Sequence, residues 1–218
     1  MSTIFIDRDG VINENRSDYV KSWDEFRFLP GSREAIASLT KAGHRIIVCT
    51  NQAGVAQGLI SLATMEDIHH CMQAAIEEMG GAIEKVYACT HSKDANCDCR
   101  KPRPGMLLRA SRELDLNLGD AVFIGDSITD MQAGIAAGVR TLLVLTGLGM
   151  EHFRQHYQQM DRPLHVALNL KHAVDLILQG LHTRTIQTSL ERACYDLLNF
   201  TEPLETLHSL QKQYSAIS

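Results

Sequence analysis

Ile4-Phe5-Ile6-Asp7-Arg8-Asp9-Gly10 decides how the chain is read. Three apolar residues make a short buried strand, which breaks at once into two carboxylates and a glycine. Gly10 lets the backbone turn tightly beside a ligand. Alone, the same residues describe a surface turn, because Asp and Gly are common turn formers. The pattern recurs, however. Ala121-Val122-Phe123-Ile124 runs into Gly125-Asp126-Ser127-Ile128-Thr129-Asp130, again a buried strand ending on an acid.

Outward from these two segments, short apolar runs alternate with helical periodicity. Residues 32–42 read as a helix with Ser32 as N-cap and Gly43 as its stop. Residues 45–49 form a second strand, 62–79 a longer helix ended by Gly80-Gly81, and 83–89 a third strand. A helix over 105–114, the strand at 121–124, a helix over 128–137 and a strand at 141–145 follow. This alternation predicts an α/β fold, a Rossmann-like parallel sheet flanked by helices. Ligands bind such sheets beyond the carboxyl ends of the strands. Asp7, Thr50 and Asp126 each follow a strand, and Lys101 lies in the connection after the third, so all four are expected at one sheet edge. Residues 1–180 are assigned to this domain. Residues 181–218 read as a helical C-terminal extension with stretches near 186–198 and 203–214, linked to the sheet by no motif.

The bulk properties narrow the function. The 218 residues carry a net charge of -5, with 44% apolar and 22% charged residues. That balance draws the protein to neither nucleic acid nor anionic lipid. No apolar run approaches the ~20 residues that span a bilayer, and no basic and apolar leader opens the chain. A cytoplasmic protein is the expectation, and the oligomeric state is left open. Six cysteines in a reducing compartment do not suggest a disulfide framework. Cys49, Cys71 and Cys194 read as small buried hydrophobes.

The chemistry follows from residue type. One carboxylate of the Asp7/Asp9 pair can attack phosphorus. The other can protonate the leaving oxygen and then deprotonate water. A dianionic phosphate repels both, so a divalent cation is needed, and Mg²⁺ asks for only a few protein carboxylates. Asp126 is the natural third acid. Thr50-Asn51-Gln52 offers a hydroxyl and backbone N–H groups for phosphate oxygens, although a helix cap or turn has the same composition. Arg100-Lys101 can supply the positive charge that a phosphoryl transition state demands.

Just before that pair stands Cys89-x-His91-x5-Cys97-x-Cys99. Three thiols and an imidazole can close a tetrahedral shell around Zn²⁺, leaving no open position, so the site is expected to be structural. Free thiols or an oxidised pair are the alternatives. The remaining histidines, His69 and His152 among them, lack ligand spacing and are taken as surface or packing residues.

Asp7-Arg8-Asp9-Gly10, Thr50-Asn51-Gln52, Lys101 and Gly125-Asp126 together resemble, in order, the four motifs of the haloacid dehalogenase (HAD) superfamily of phosphohydrolases. The Cys-x-His…Cys-x-Cys-Arg-Lys-Pro segment is similar to the subgroup acting on heptose bisphosphate or histidinol phosphate. The resemblance implies a HAD-like fold, Asp7 as nucleophile and Asp9 as general acid/base. It implies Mg²⁺ on Asp7, the Asp9 carbonyl and Asp126, with Asp130 behind them. Thr50 and Lys101 would stabilise the phosphoryl group. Asn51, Gln52, Arg100 and Tyr19, in a loop spanning 15–19, would bind a phosphorylated sugar. Gln57 and Ser127 stand where heptose enzymes commonly carry basic residues. The implied activity is hydrolysis of a heptose bisphosphate for nucleotide-heptose and lipopolysaccharide synthesis. A histidinol-phosphate or broader sugar-phosphate phosphatase, or a phosphosugar-binding scaffold, are the other readings.

Overall fold

The computed structural model describes residues 2–156 and 165–180. The helical stretches expected near 186–198 and 203–214 lie outside the described residues.

Among the described residues the strands are β1 (Thr3–Ile6), β2 (Arg45–Asn51), β3 (Lys85–Cys89), β4 (Val122–Gly125), β5 (Arg140–Val144) and β6 (Val166–Ala167). They form one sheet in the order β3-β2-β1-β4-β5-β6. Every pairing is parallel, with Ile4 against Ile46 on one side and Val122 on the other. The first strand is therefore central, and its carboxyl end is where the strand order reverses, the ligand-binding crevice of such sheets.

The helices are α1 (Ser32–Lys41), α2 (Leu62–Glu77), α3 (Gly105–Leu114), α4 (Ile128–Ala136), α5 (Gly149–His156) and α6 (Leu170–Leu178). Both sheet faces are covered, which is why the strands read as continuous apolar runs. Ile4, Ile6, Ile46, Val48 and Ile124 pack with Ile36 and Leu39 of α1 and Ile68 and Met72 of α2. Phe5, Ile47 and Phe123 point the other way, against Leu107 of α3 and Ala133 of α4.

Three expectations change in detail. Helix α1 is capped by Gly31, not Ser32. Leu29 to Ser32 form a turn in which Gly31 has φ 75° and ψ 2°, closed by the Ser32 N–H donating to Leu29 O at 3.1 Å. Pro30-Gly31 is the sequence of a type II turn, and it uses the Ser32 amide before the helix starts. The 62–79 helix stops at Glu77, where Gly80 at φ 80° and the Gly81 N–H to Ile76 O (3.0 Å) close it. The third strand begins at Lys85. Elements β6, α5 and α6 were not anticipated. A two-residue strand carries no readable period, and only its neighbour β5 makes it a strand.

Candidate functional site

The carboxyl ends of β1, β2 and β4 and the segment after β3 enclose a cavity of about 490 Å³. Asp7, Asp9, Thr50, Asn51, Arg100, Lys101, Asp126 and Tyr19 all line it. Gln52 is wholly buried behind them.

Lys101 organises the centre. Its ammonium lies 2.8 Å from Asp7 Oδ1 and 2.6 Å from Asp130 Oδ1, and donates to the Cys49 carbonyl at 2.9 Å. Burial alone would lower the lysine's pKa, but the Asp130 and Asp7 carboxylates raise it, so the side chain is held as a cation. Its backbone is clamped by Asn51, whose amide accepts from the Lys101 N–H and donates to its carbonyl, both at 3.2 Å. Asn51 thus fixes the lysine, a role that its type alone did not reveal.

Asp7 is buried at the end of β1, its N–H bonded to Ile124 O at 2.9 Å and its Oδ1 accepting from the Arg8 N–H at 2.7 Å. Burial pushes its pKa up to about 7, against the pull of Lys101 and aided by Asp130 and Asp9. Asp126 is raised well above the ordinary range by burial, Asp130 and Asp7. Oxygens of Asp7, Asp126 and Asp130 lie within 4.8 Å of one another. Three crowded acids facing one lysine suit a hard divalent cation with oxygen ligands. The Asp126 Oδ2 also accepts from the Leu148 N–H at 2.8 Å. A Cβ on Gly10 or Gly147, both at positive φ, would lie 2.0 or 2.1 Å from that oxygen. These two glycines make room for the carboxylate. Gly125 serves differently, since a Cβ there would strike the Asp130 side chain at 2.4 Å.

Asp130 itself is occupied on both oxygens. Oδ1 pairs with Lys101, and Oδ2 accepts from the Ser127 N–H (3.0 Å) and Oγ (2.7 Å) in the capping box of α4. It is wholly buried and shares Lys101 with Asp7.

Asp9 is gripped by Arg8. One guanidinium nitrogen donates to both carboxylate oxygens at 2.8 Å, while Asn13 donates to Oδ1 (2.9 Å) and Gln52 to Oδ2 (2.7 Å). Burial would raise its pKa, but Arg8 and these donors bring it below the usual value. Arg8 is 1% exposed and its second arm donates to His69 Nε2 at 3.0 Å. His69, buried on α2, is lowered to about 3 by burial and by that guanidinium. It is a neutral acceptor, in keeping with the packing role expected. Gln52 also bonds Thr50 Oγ1 at 2.9 Å, tying the two motifs together. Sequence reading missed Arg8 and Asn13, whose work depends on a chain turn: the Gly10 N–H donates to Asn13 O at 2.7 Å.

At the cavity mouth, Tyr19 has φ 63° and accepts from Gln57 at 3.2 Å. Arg16 and Lys93 line the same mouth. Arg100 lines the cavity, and its Nη1 is buried without a hydrogen-bond partner among the described residues, a donor left available for a ligand.

The cysteine cluster sits one residue upstream. Cys89, Cys97 and Cys99 sulfurs are 3.3–3.6 Å apart, and His91 Nδ1 is 3.2 Å from Cys99 and 3.7 Å from Cys89. Disulfide sulfurs are about 2.0 Å apart, so the cysteines are unpaired. All four ligand atoms lie within 4.8 Å of one another, close enough to share one Zn²⁺ at zinc–nitrogen and zinc–sulfur bond lengths of about 2.0–2.3 Å. Burial and its two sulfur neighbours push the Cys99 thiol up to about 12, a cost that a bound cation reverses. Arg103 supports the loop by donating to Cys97 O at 2.9 Å.

The comparisons with known proteins identify the family. A HAD-hydrolase-like family model matches residues 98–173. The D-glycero-β-D-manno-heptose-1,7-bisphosphate 7-phosphatase of Bordetella bronchiseptica is 43% identical over 155 residues, 71% of this chain and 87% of that protein. The Pseudomonas putida enzyme of the same name is 43% identical over 68% of this chain and 85% of its own length. The crystal structure of D,D-heptose 1,7-bisphosphate phosphatase from B. bronchiseptica, complexed with magnesium and phosphate, superposes with a TM-score of 0.79 at 39% identity, covering 83% of this chain and 99% of that one. The chain belongs to the heptose-bisphosphate phosphatase family of HAD-like hydrolases.

Proposed function

We propose that the protein removes the 7-phosphate of D-glycero-β-D-manno-heptose 1,7-bisphosphate through an aspartyl-phosphate on Asp7. The observation that carries this reading is the convergence of Asp7, Lys101 and Asp126 in one cavity with the unpartnered Arg100 nitrogen. The activity shared by the named relatives supports the sugar.

In the proposed reaction Asp7 Oδ1 stays tied to Lys101 and the Arg8 amide, which leaves Oδ2 to attack phosphorus. The bond from phosphorus to the sugar oxygen breaks, and Asp9 gives that oxygen a proton. Negative charge on the arriving phosphate raises the Asp9 proton affinity against the pull of Arg8. Asp9 then takes a proton from water as the water attacks phosphorus, freeing Asp7 and inorganic phosphate. Lys101, Thr50 and Arg100 surround the equatorial oxygens. Mg²⁺, on Asp7, the Asp9 carbonyl and Asp126, supplies charge neutralisation and Lewis acidity when bound. Arg16 and Lys93, cations lining the same cavity, would receive the second phosphate of a bisphosphate.

We assign zinc to Cys89, His91, Cys97 and Cys99 as a structural ion that holds Arg100 and Lys101 in place. Three thiolate ligands need a reducing compartment, which favours the cytoplasm. Among the described residues no helix is long and apolar enough to cross a membrane. The test is a panel of heptose 1,7-bisphosphate anomers, histidinol phosphate and generic sugar phosphates with Mg²⁺. Heptose bisphosphate should show the highest kcat/KM, and a ranking no better than histidinol phosphate would overturn the assignment.

A further inference from the structure

The wall of the cavity formed by the start of α4 and by α5 is built differently from the rest. Apart from the buried Asp130, its polar residues are Ser127, Thr129 and His152, whereas the cations Arg16, Lys93 and Arg100 come from the loops after β1 and β3. The hydrogen bonds settle which atoms on this wall donate and which accept.

Ser127 has one hydroxyl proton. That proton goes to Asp130 Oδ2 at 2.7 Å, an oxygen of the carboxylate that also pairs with Lys101. Ser127 Oγ meanwhile accepts from the Asp130 N–H at 3.3 Å. In its 2.8 Å contact with Thr129 Oγ1, Ser127 has no proton left to give, so Thr129 is the donor. The Thr129 proton therefore points inward, and its oxygen presents only lone pairs to the cavity. His152 is fixed just as firmly. Its Nδ1 accepts from the Ile128 N–H at 3.2 Å, and a backbone amide can only donate. The ring proton then resides on Nε2, which is a donor.

A lone-pair acceptor and an N–H donor thus line one cavity, Thr129 following directly on the Ile128 amide that holds His152, and together they complement an alcohol, which donates one hydrogen bond and accepts another. A phosphate oxygen has nothing to give Thr129 and would meet lone pairs head-on. We infer that Thr129 and His152 form a specificity-determining pair that reads a hydroxyl of the substrate and turns its second phosphate away from α4. This rests on the sugar-phosphatase reading above and extends it by orienting the sugar: hydroxyl edge toward α4 and α5, charged end toward the cationic loops.

The test compares Thr129→Val, Thr129→Ser, His152→Phe and His152→Gln, each in the full chain with Mg²⁺. The substrates are heptose 1,7-bisphosphate, a hexose bisphosphate and p-nitrophenyl phosphate, which has no hydroxyl to read. Thr129→Val and His152→Phe should each lower kcat/KM for the preferred sugar phosphate roughly tenfold, the effect of one lost hydrogen bond. Hydrolysis of p-nitrophenyl phosphate should stay within about twofold by the same reasoning. Thr129→Ser keeps the hydroxyl and His152→Gln keeps a donor near Nε2, so both should restore most of the loss. Equal losses on all substrates, or no loss on the sugar, would overturn the inference while leaving the heptose assignment standing. If wild type prefers the hexose bisphosphate and the variants still lose selectively on it, the heptose assignment falls and the hydroxyl pair stands. If wild type favours no hydroxylated substrate over p-nitrophenyl phosphate, both fall.

Discussion

Asp7 and Asp9 stand two residues apart yet live in opposite surroundings. Asp7 shares Lys101 with Asp130 and is raised to about 7, chiefly by burial, whereas Asp9 is held low by Arg8, Asn13 and Gln52 despite burial. In the proposed roles a cation on Asp7 would favour its ionised, nucleophilic form, and an arriving phosphate would raise the proton affinity of Asp9 against the pull of Arg8. Asp7→Asn is expected to abolish phosphate release and acid-stable labelling by radioactive phosphate, because no nucleophile remains. Asp9→Asn should lower kcat by roughly 10²–10⁴-fold, the range for general acid–base catalysis. The loss should shrink on aryl phosphates, whose leaving group needs no proton, as steady-state kinetics will report. Gly147→Ala is a sharper probe of the metal site. Its Cβ would come 2.1 Å from Asp126 Oδ2 at φ 57°, so the carboxylate must move and the backbone is strained. Half-saturating Mg²⁺ should rise at least about tenfold, the lower end for disturbing a ligand's support. The acids were readable because each ends an apolar run. Arg8 and Asn13 were not, since the clamp exists only once the loop has turned back on itself.

At the scale of elements, the segment from Cys89 to Lys101 shows how a loop gains rigidity. It leaves β3 with three cysteines and a histidine facing one point, and Asn51 and Arg103 pin its far end. Cys97→Ser should remove zinc, measured as about one ion per chain in wild type by plasma mass spectrometry, as a single four-ligand shell predicts. Activity should fall with it, because Arg100 and Lys101 lose their anchor. Full activity in zinc-free protein would contradict that support. The ligand spacing announced this loop, since such spacing is local. The cap of α1 misled, because Pro30-Gly31 and Ser32 both carry start signals. The turn prevails because it uses the Ser32 amide.

For the whole molecule, the crowded acids couple folding to metal and pH. Folding raises the pKa of Asp7 to about 7 and of Asp126 well above its usual value, mainly through burial. A carboxyl raised in this way favours the fold at low pH, and that contribution is lost as pH rises through about 7. Mg²⁺ binds the ionised form, so the rise in Tm on replacing chelator with Mg²⁺ should be larger at pH 8 than at pH 5. At a hundredfold excess over Kd the gain is about 2.7 kcal/mol, or roughly 5–10 °C for a chain of this size. A shift of the same size at both pH values would mean that these carboxyls are not the ligands. The sequence by itself determined which runs are buried, which acids follow them, and which thiols lie close enough to share an ion. Those are properties of short segments, written in local period and spacing. Only the tertiary structure decided that Asn51 clamps Lys101, that Gly10 and Gly147 shelter Asp126, and that His152 meets Ile128 from another helix. Two of these contacts join residues 50 and 24 positions apart, and the third depends on space left by a missing side chain. No local pattern encodes such a meeting, because it is set by how the sheet brings its strand ends together.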